Sequence, residues 1–398
     1  MGRSIIKSTK IYTENRIVSG GLLIEDGKIA AIFEGDVTQA DCPIADYGDM
    51  RVIPGVIELK NHGYLGWNAT SGDEADVRGY VKALTAAGIT GVLPAGRPGG
   101  NLAPIARVMD TPYEGTRILG IHCFGPFLNE ARLPGGMGSY EGTATRAMAE
   151  AFYEETDGKM RLMTLAPEID GIIDVINFCK EKGVKIAMGH TSATYDETMW
   201  GIANGCGSFT HICNQTMPIH HRDIGATGAG LMSDVYCELI CDLYHVSVPM
   251  LELIFKLKPK NRIMLSPDNN SLSGMPPGVY ASSYGPDRTT TCGEDGLFRL
   301  DNGRIAGSSM CNLDCIRHCV ENLDIPLEET IKMSALTAAT YIGINDKKGS
   351  IAVGKDADIV VISDDYAAQA TYVEGTLCYT PDMREGLINP NGPKPLAG

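Results

Sequence analysis

Eight short apolar runs, each followed by a segment of different periodicity, constrain this chain more than any other feature. They occupy 52–59, 91–94, 118–123, 162–165, 185–188, 208–212, 237–241 and 263–265. Apolar strands alternating with helices predict an α/β protein built on a (β/α)8, TIM-like barrel, a fold of about 250 residues before insertions. A doubly wound open sheet is the alternative, but no Gly-x-Gly-x-x-Gly turn follows an early strand. In a barrel, residues just past the C-terminal strand ends face the active site, so the polar residues at those points carry the functional reading.

The termini read differently. Residues 21–32 place Asp26-Gly27 between two apolar runs, the signature of a hairpin, and 349–362 with 372–375 have a similar character. Strands from both ends are therefore expected to join in one small β-sandwich domain, residues 1–52 and 348–398, leaving 53–347 for the catalytic barrel. Residues 271–296 are rich in Ser, Pro, Gly and Thr without helical periodicity, and are expected to form a long loop over the site.

With 398 residues, 43% of them apolar, the chain can bury a large core. A net charge of −15 argues against nucleic acid and membrane surfaces as partners, while a locally basic pocket remains open to a small anion. The first residues lack a signal-peptide core and no run reaches the roughly 20 apolar residues of a spanning helix, which predicts a cytoplasmic protein. Twelve scattered cysteines are then expected to be reduced thiols. Cys311, Cys315 and Cys319 recur every four residues on one helical face; a core stripe is favoured over a metal site.

Five of the eight histidines fall at or near predicted strand ends. His190 closes 185–190 and His211 closes 209–211, so two imidazoles on adjacent strands are placed to share one divalent ion. Asp268 follows the eighth strand, where a carboxylate can take a proton from an attacking water and pass it to a leaving amine; an Asx-turn is its structural alternative. Asn214, Arg222 and His245 combine an amide, a guanidinium and an imidazole, the elements of a phosphate clamp. Arg222 alone also reads as a solvated loop charge.

The order and spacing of several segments carry a resemblance. They are Ile53-Pro54-Gly55-Val56-Ile57-Glu58, Leu165-Ala166-Pro167-Glu168, Gly189-His190-Thr191-Ser192-Ala193-Thr194-Tyr195-Asp196, the stretch 210–222, Ala306-Gly307-Ser308, and 348–358. Together they resemble the N-acetylglucosamine-6-phosphate deacetylases of the amidohydrolase superfamily, nearly end to end. The resemblance implies a homodimer that removes acetate from an N-acetyl amino-sugar 6-phosphate, with zinc as the expected metal. It also implies His190 and His211 as metal ligands, Asp268 as proton shuttle, and Asn214, Arg222 and His245 as substrate-binding residues, with part of the clamp crossing the dimer interface.

Three departures from that family's pattern stand out. Phe124, in Gly120-Ile121-His122-Cys123-Phe124-Gly125-Pro126, occupies the place of a metal-binding glutamate. A substrate-binding histidine is replaced near Gly135 or Gly136, and Lys60-Asn61-His62 replaces a His-x-His. Losing a carboxylate and gaining an ammonium makes the site about two charge units more positive, which weakens the hold on a dication. One ion at most is expected, on His62, His190 and His211 or on two of these with Asp268, with Glu130 as a further candidate. A metal-free site is the alternative, with Lys60 as base, electrophile or Schiff-base amine, or simply paired with Asp268. Three functions follow: a deacetylase; a metal-free lyase or isomerase of a sugar phosphate using Lys60, His190 or Asp268; and a non-catalytic sugar-phosphate-binding homologue.

Overall fold

A computed structural model of the chain describes residues 2–35, 40–99, 101–133, 142–282 and 288–396. The positions near Gly135 and Gly136 lie outside the described residues.

Eight parallel strands follow one another in chain order: β1 Val56–Asn61, β2 Ile89–Gly96, β3 Ile121–Phe124, β4 Met160–Leu165, β5 Lys185–Met188, β6 Ser208–Phe209, β7 Tyr236–Leu239 and β8 Ile263–Leu265. Registers such as Glu58↔Val92, His122↔Ala95, Met188↔Phe209 and Leu239↔Leu265 bring their C-terminal ends to one rim. Strands covered on both faces need no polar alternation, and β2 is buried at every residue. The seam between β1 and β8 is bridged rather than laddered. His62 N donates to Asn269 O (2.9 Å), and Asn312 Nδ2 donates to Leu265 O (2.8 Å).

The covering helices end where their sequences say they should. Tyr195–Asn204 starts on a capping box in which Thr194 and Glu197 exchange hydrogen bonds, and Ile172–Lys182 stops at Gly183 in the left-handed conformation. Cys315 and Cys319 are buried core residues of the helix Asn312–Leu323, in line with a core stripe. All twelve cysteines are free thiols.

Strands from both termini share one eight-stranded sheet. Ile359–Ile362 pairs antiparallel with Arg51–Pro54, which in turn lies parallel to Ser4–Tyr12. The expected hairpin is present, Glu25 facing Lys28 across a turn in which Asp26 and Gly27 both have positive φ.

Two runs divide. The run 52–59 spends its first half in the terminal sheet and its second half as β1. The hinge is Gly55, where a Cβ would lie 2.1 Å from Thr90 Oγ1. The run 118–123 splits into a short edge strand, Arg117–Ile118, and β3.

The expected loop 271–296 is corrected. Gly278–Ala281 and Thr289–Cys292 are strands that join Leu297–Leu300 and Ile305–Ser308 in a four-stranded antiparallel sheet. Its Thr-rich second strand alternates buried and exposed residues, a period-2 pattern that Ser/Pro/Gly content conceals. Among the described residues, no helix is long and apolar enough to cross a membrane.

Candidate active site

The C-terminal rim opens into a cavity of about 610 Å3. Every strand-end residue picked out by the sequence as catalytic or metal-binding lines it: Lys60, His62, His190, His211 and Asp268, together with Phe124. Asn214 and His245 line it as well. Arg222 is exposed and lies outside the cavity of its own chain, and so does Glu130. Sequence reasoning missed Arg97, Arg304, Asn68, Thr70, Asn101 and Tyr244. Arg97 had a usable signal, because it directly follows β2.

Lys60 and Asp268 form an ion pair between Nζ and Oδ1, with the lysine side chain 1% exposed and the aspartate 20%. His62 Nε2 stands 3.8 Å from the same carboxylate oxygen. Burial raises the pKa of Asp268, but the Lys60 charge, aided by His211 and His62, outweighs it and holds the carboxyl well below the usual carboxylate range. Oδ1 of Asp268 is thus committed to Lys60, and the Asx-turn of this loop forms instead at Asn270, whose Oδ1 accepts from Leu272 N (2.9 Å).

The imidazoles of β5 and β6 face each other, His190 Nε2 to His211 Nε2 at 3.1 Å. His190 Nδ1 lies 2.8 Å from the carbonyl of Arg132 and must donate to it. Its Nε2 therefore carries a lone pair, which accepts the Nε2 proton of His211. That assignment leaves His211 Nδ1 as a bare lone pair, and this atom is indeed buried without a partner. Burial lowers the pKa of His190 to about 4 and holds that of His211 well below the ordinary histidine value, with the Lys60 charge adding to both. Both rings are neutral at neutral pH.

Supports hold this arrangement. Glu168 accepts from Thr191 Oγ1 (2.5 Å), Ser192 N (2.6 Å) and Asn129 Nδ2 (3.1 Å), which fixes the turn that carries His190. Buried Glu238 accepts from Thr210 Oγ1 (3.0 Å) and His211 N (3.2 Å) beneath the second ring. His190, His211 and Asp268 all have positive φ (47°, 29° and 57°), a conformation that side-chain-bearing residues adopt only when their surroundings impose it. Buried Asp242 holds His245 through Oδ2 to Nδ1 (2.5 Å), and its other oxygen accepts from His245 N (2.8 Å). The Gln215 amide donates to Arg132 O (3.1 Å) and accepts from Arg304 Nη2 (2.5 Å), tying that arginine to the histidine pair.

Formal charge in the cavity wall runs opposite to that of the whole chain. Among the described residues, Lys60, Arg97 and Arg304 stand against the one carboxylate of Asp268. An anionic ligand is favoured there even though the protein carries −15.

The residues present do not fit a resident divalent cation. Among the described residues, no three His, Cys, Asp or Glu side chains converge as a metal-holding group. The Phe124 ring, without a donor atom, stands edge-on to His62, His190 and His211, at centroid distances of 5.5, 5.2 and 6.2 Å. Asp268 Oδ1 is taken by Lys60, and the facing Nε2 atoms of the two imidazoles bond to each other, which leaves His211 Nδ1 as the one ring nitrogen of the pair without a partner. A dication roughly 4 Å from an ammonium, at an effective dielectric constant of about 20, would cost about 8 kcal/mol in repulsion. The expectation of one zinc on His62, His190 and His211 is therefore not supported by this donor set.

Comparison with known proteins agrees with the barrel. The family model described as "Amidohydrolase family" matches residues 51–378. The chain is 29% identical over 387 residues to the N-acetylglucosamine-6-phosphate deacetylase of Bacillus subtilis (strain 168), covering 94% of this chain and 97% of the relative. It is 27% identical to the N-acetylgalactosamine-6-phosphate deacetylase of Escherichia coli O157:H7, covering 94% and 98%. Among solved structures, a mutant N-acetyl-D-glucosamine-6-phosphate deacetylase from Mycobacterium smegmatis, in complex with N-acetyl-D-glucosamine-6-phosphate, superposes with a TM-score of 0.85. The identity there is 25%, with 96% of this chain and 100% of that chain covered. Enzymes of this family generally use a divalent metal, which sets the donor set of this chain apart.

Proposed function

The chain belongs to the amidohydrolase family, and we propose that it hydrolyses the amide bond of an N-acetyl amino-sugar 6-phosphate, releasing acetate and the free amino-sugar phosphate. The observation that carries this reading is the Asp268 carboxylate in a cavity where, among the described residues, it is the one carboxylate and the other formal charges are cationic. The carboxylate supplies the proton transfer that amide hydrolysis needs, and the cationic wall supplies attraction for phosphate.

Each part of the site has work in that reaction. Asp268 takes a proton from water and delivers it to the departing amine. Neutral His190 and His211, with His62, shape the polar wall beside the acetamide. His245, oriented by Asp242, and Asn214 bind sugar hydroxyls or phosphate, and Arg304 and Arg97 supply positive charge for the phosphate. Arg222, exposed on its own chain, is assigned to the pocket of a second copy in a cytoplasmic homodimer. Sedimentation of the wild type and of Arg222→Ala, with KM for both, tests that part.

The test of the reaction is product analysis with N-acetylglucosamine 6-phosphate and N-acetylgalactosamine 6-phosphate. Acetate and primary amine are expected to appear together, with turnover lost in Asp268→Asn. Folded wild-type protein that releases no acetate from either substrate overturns the reading, and isomerisation without acetate would move the chain to the lyase or isomerase class.

A further inference from the structure

We propose that this centre hydrolyses the amide without a resident divalent cation, the Lys60 ammonium serving as the fixed positive charge of the site. The proposal rests on the reading of the site as an amide hydrolase, and deepens it by assigning the electrophile. Three independent geometric features converge on it. Lys60 is buried at the end of β1 and ion-paired with Asp268, so a positive charge is already built into the floor of the cavity. The Phe124 ring fills the space among the histidines and packs against that ammonium, Lys60 Nζ lying 5.3 Å from the ring centroid. His190 and His211 bond to each other, so their inward-facing nitrogens need no ion to satisfy them.

An ammonium has three N–H donors, and Asp268 Oδ1 takes one. In the reaction, a water oxygen bonds to the acetamide carbon while one water proton passes to the Asp268 carboxylate. The carbonyl π pair moves onto oxygen, where Lys60 donates a hydrogen bond. Negative charge thereby leaves Asp268 as it arrives on the substrate oxygen, and the ammonium stays beside it throughout. The C–N bond then breaks with its electron pair going to nitrogen, which takes the proton back from Asp268. Acetic acid departs and ionises in solvent. Atoms and electrons balance with water as the one co-substrate, and Lys60 keeps its proton.

Two measurements on the full-length protein test this. The first is a calorimetric zinc titration of chelator-dialysed wild type at neutral pH, beside the double variant Lys60→Gln, Phe124→Glu. The wild type is expected to take up no stoichiometric zinc, and the double variant to gain about one site. Uptake of one zinc per chain by the wild type, lost in His190→Ala, overturns the proposal.

The second is acetate release with and without chelator. Undiminished turnover supports the proposal, and chelator-sensitive turnover restored by Zn2+ overturns it. Lys60→Met is expected to lower kcat at least a hundredfold with a smaller change in KM, and Lys60→Arg to recover part of it. Unchanged kcat in Lys60→Met removes the catalytic role of the lysine. A wild type that binds no zinc yet releases no acetate refutes the hydrolase reading and the role of Lys60 in it, while the zinc titration still decides whether the site is metal-free.

Discussion

Lys60 and Asp268 meet across the seam between the first and last strands of the barrel, where the backbone ladder is replaced by single bridging hydrogen bonds. The same contact that sets the charge of the active site therefore also helps to close the fold. Removing one partner of a buried pair leaves the other charge uncompensated, at a cost of about 3–5 kcal/mol. Lys60→Met is expected to lose close to that amount in urea unfolding. The double variant Lys60→Met, Asp268→Asn is expected to lose distinctly less than the sum of the two single changes, because it removes both charges together.

Glu238 gives a pH prediction of definite sign. Burial, only partly offset by Lys60, raises its pKa to about 7 from an ordinary 4.5. Between those values the folded chain binds more protons than the unfolded one, so this residue makes stability fall as pH rises through the window. Glu238→Gln keeps an acceptor for Thr210 and His211 and has no proton to lose. Its stability relative to wild type is expected to grow from near zero at about pH 4.5 to about 3 kcal/mol at about pH 8. Chemical denaturation of both proteins at those two pH values checks it.

His190 acts in the opposite direction. With its pKa at about 4, the ring stays neutral well below the ordinary histidine range, and its lone pair is lost only when it protonates. Turnover is therefore expected to hold through about pH 5 and to fall with an apparent pKa near 4. A pH–rate profile that drops near 6.5 would mean that the ring is not held as described.

Asp242 orients His245 without reaching the cavity itself. Asp242→Asn keeps the size but loses the charge-assisted bond to Nδ1, and is expected to raise KM about tenfold with a smaller change in kcat. Steady-state kinetics read the two separately.

Arg304 is held against Gln215 at the cavity wall. Arg304→Ala is expected to raise KM for a 6-phosphorylated substrate by about ten- to a hundredfold while leaving the weak binding of the unphosphorylated sugar nearly unchanged. Equal losses for both sugars would remove the phosphate from this part of the pocket.

The barrel was legible because its buried strands are short, apolar and regularly separated, and the strand-end rule then pointed to His190, His211 and Asp268, while Lys60 stood out as a departure from the resembled family's first-strand pattern. The hairpin at Asp26-Gly27 was legible for a local reason: positive φ at both turn residues selects such a pair. The sheet formed from 278–308 was not, because its Ser, Pro and Gly content reads as loop while its Thr-rich alternation is short. Arg304 was missed with it. The division at Gly55 was hidden by two adjacent strands of similar composition that serve different sheets. The histidine pair reads in sequence as a metal site, since spacing cannot tell two imidazoles that share an ion from two that bond to each other; that distinction depends on the Arg132 carbonyl and on the Phe124 ring, both set by tertiary packing.

The most direct test of the whole account is the stoichiometry of acetate and primary amine formed from N-acetylglucosamine 6-phosphate by chelator-dialysed wild-type protein at neutral pH. Sustained turnover with one acetate per amine and no requirement for added metal is expected. No acetate from a folded protein, or acetate only after zinc is supplied, would contradict it.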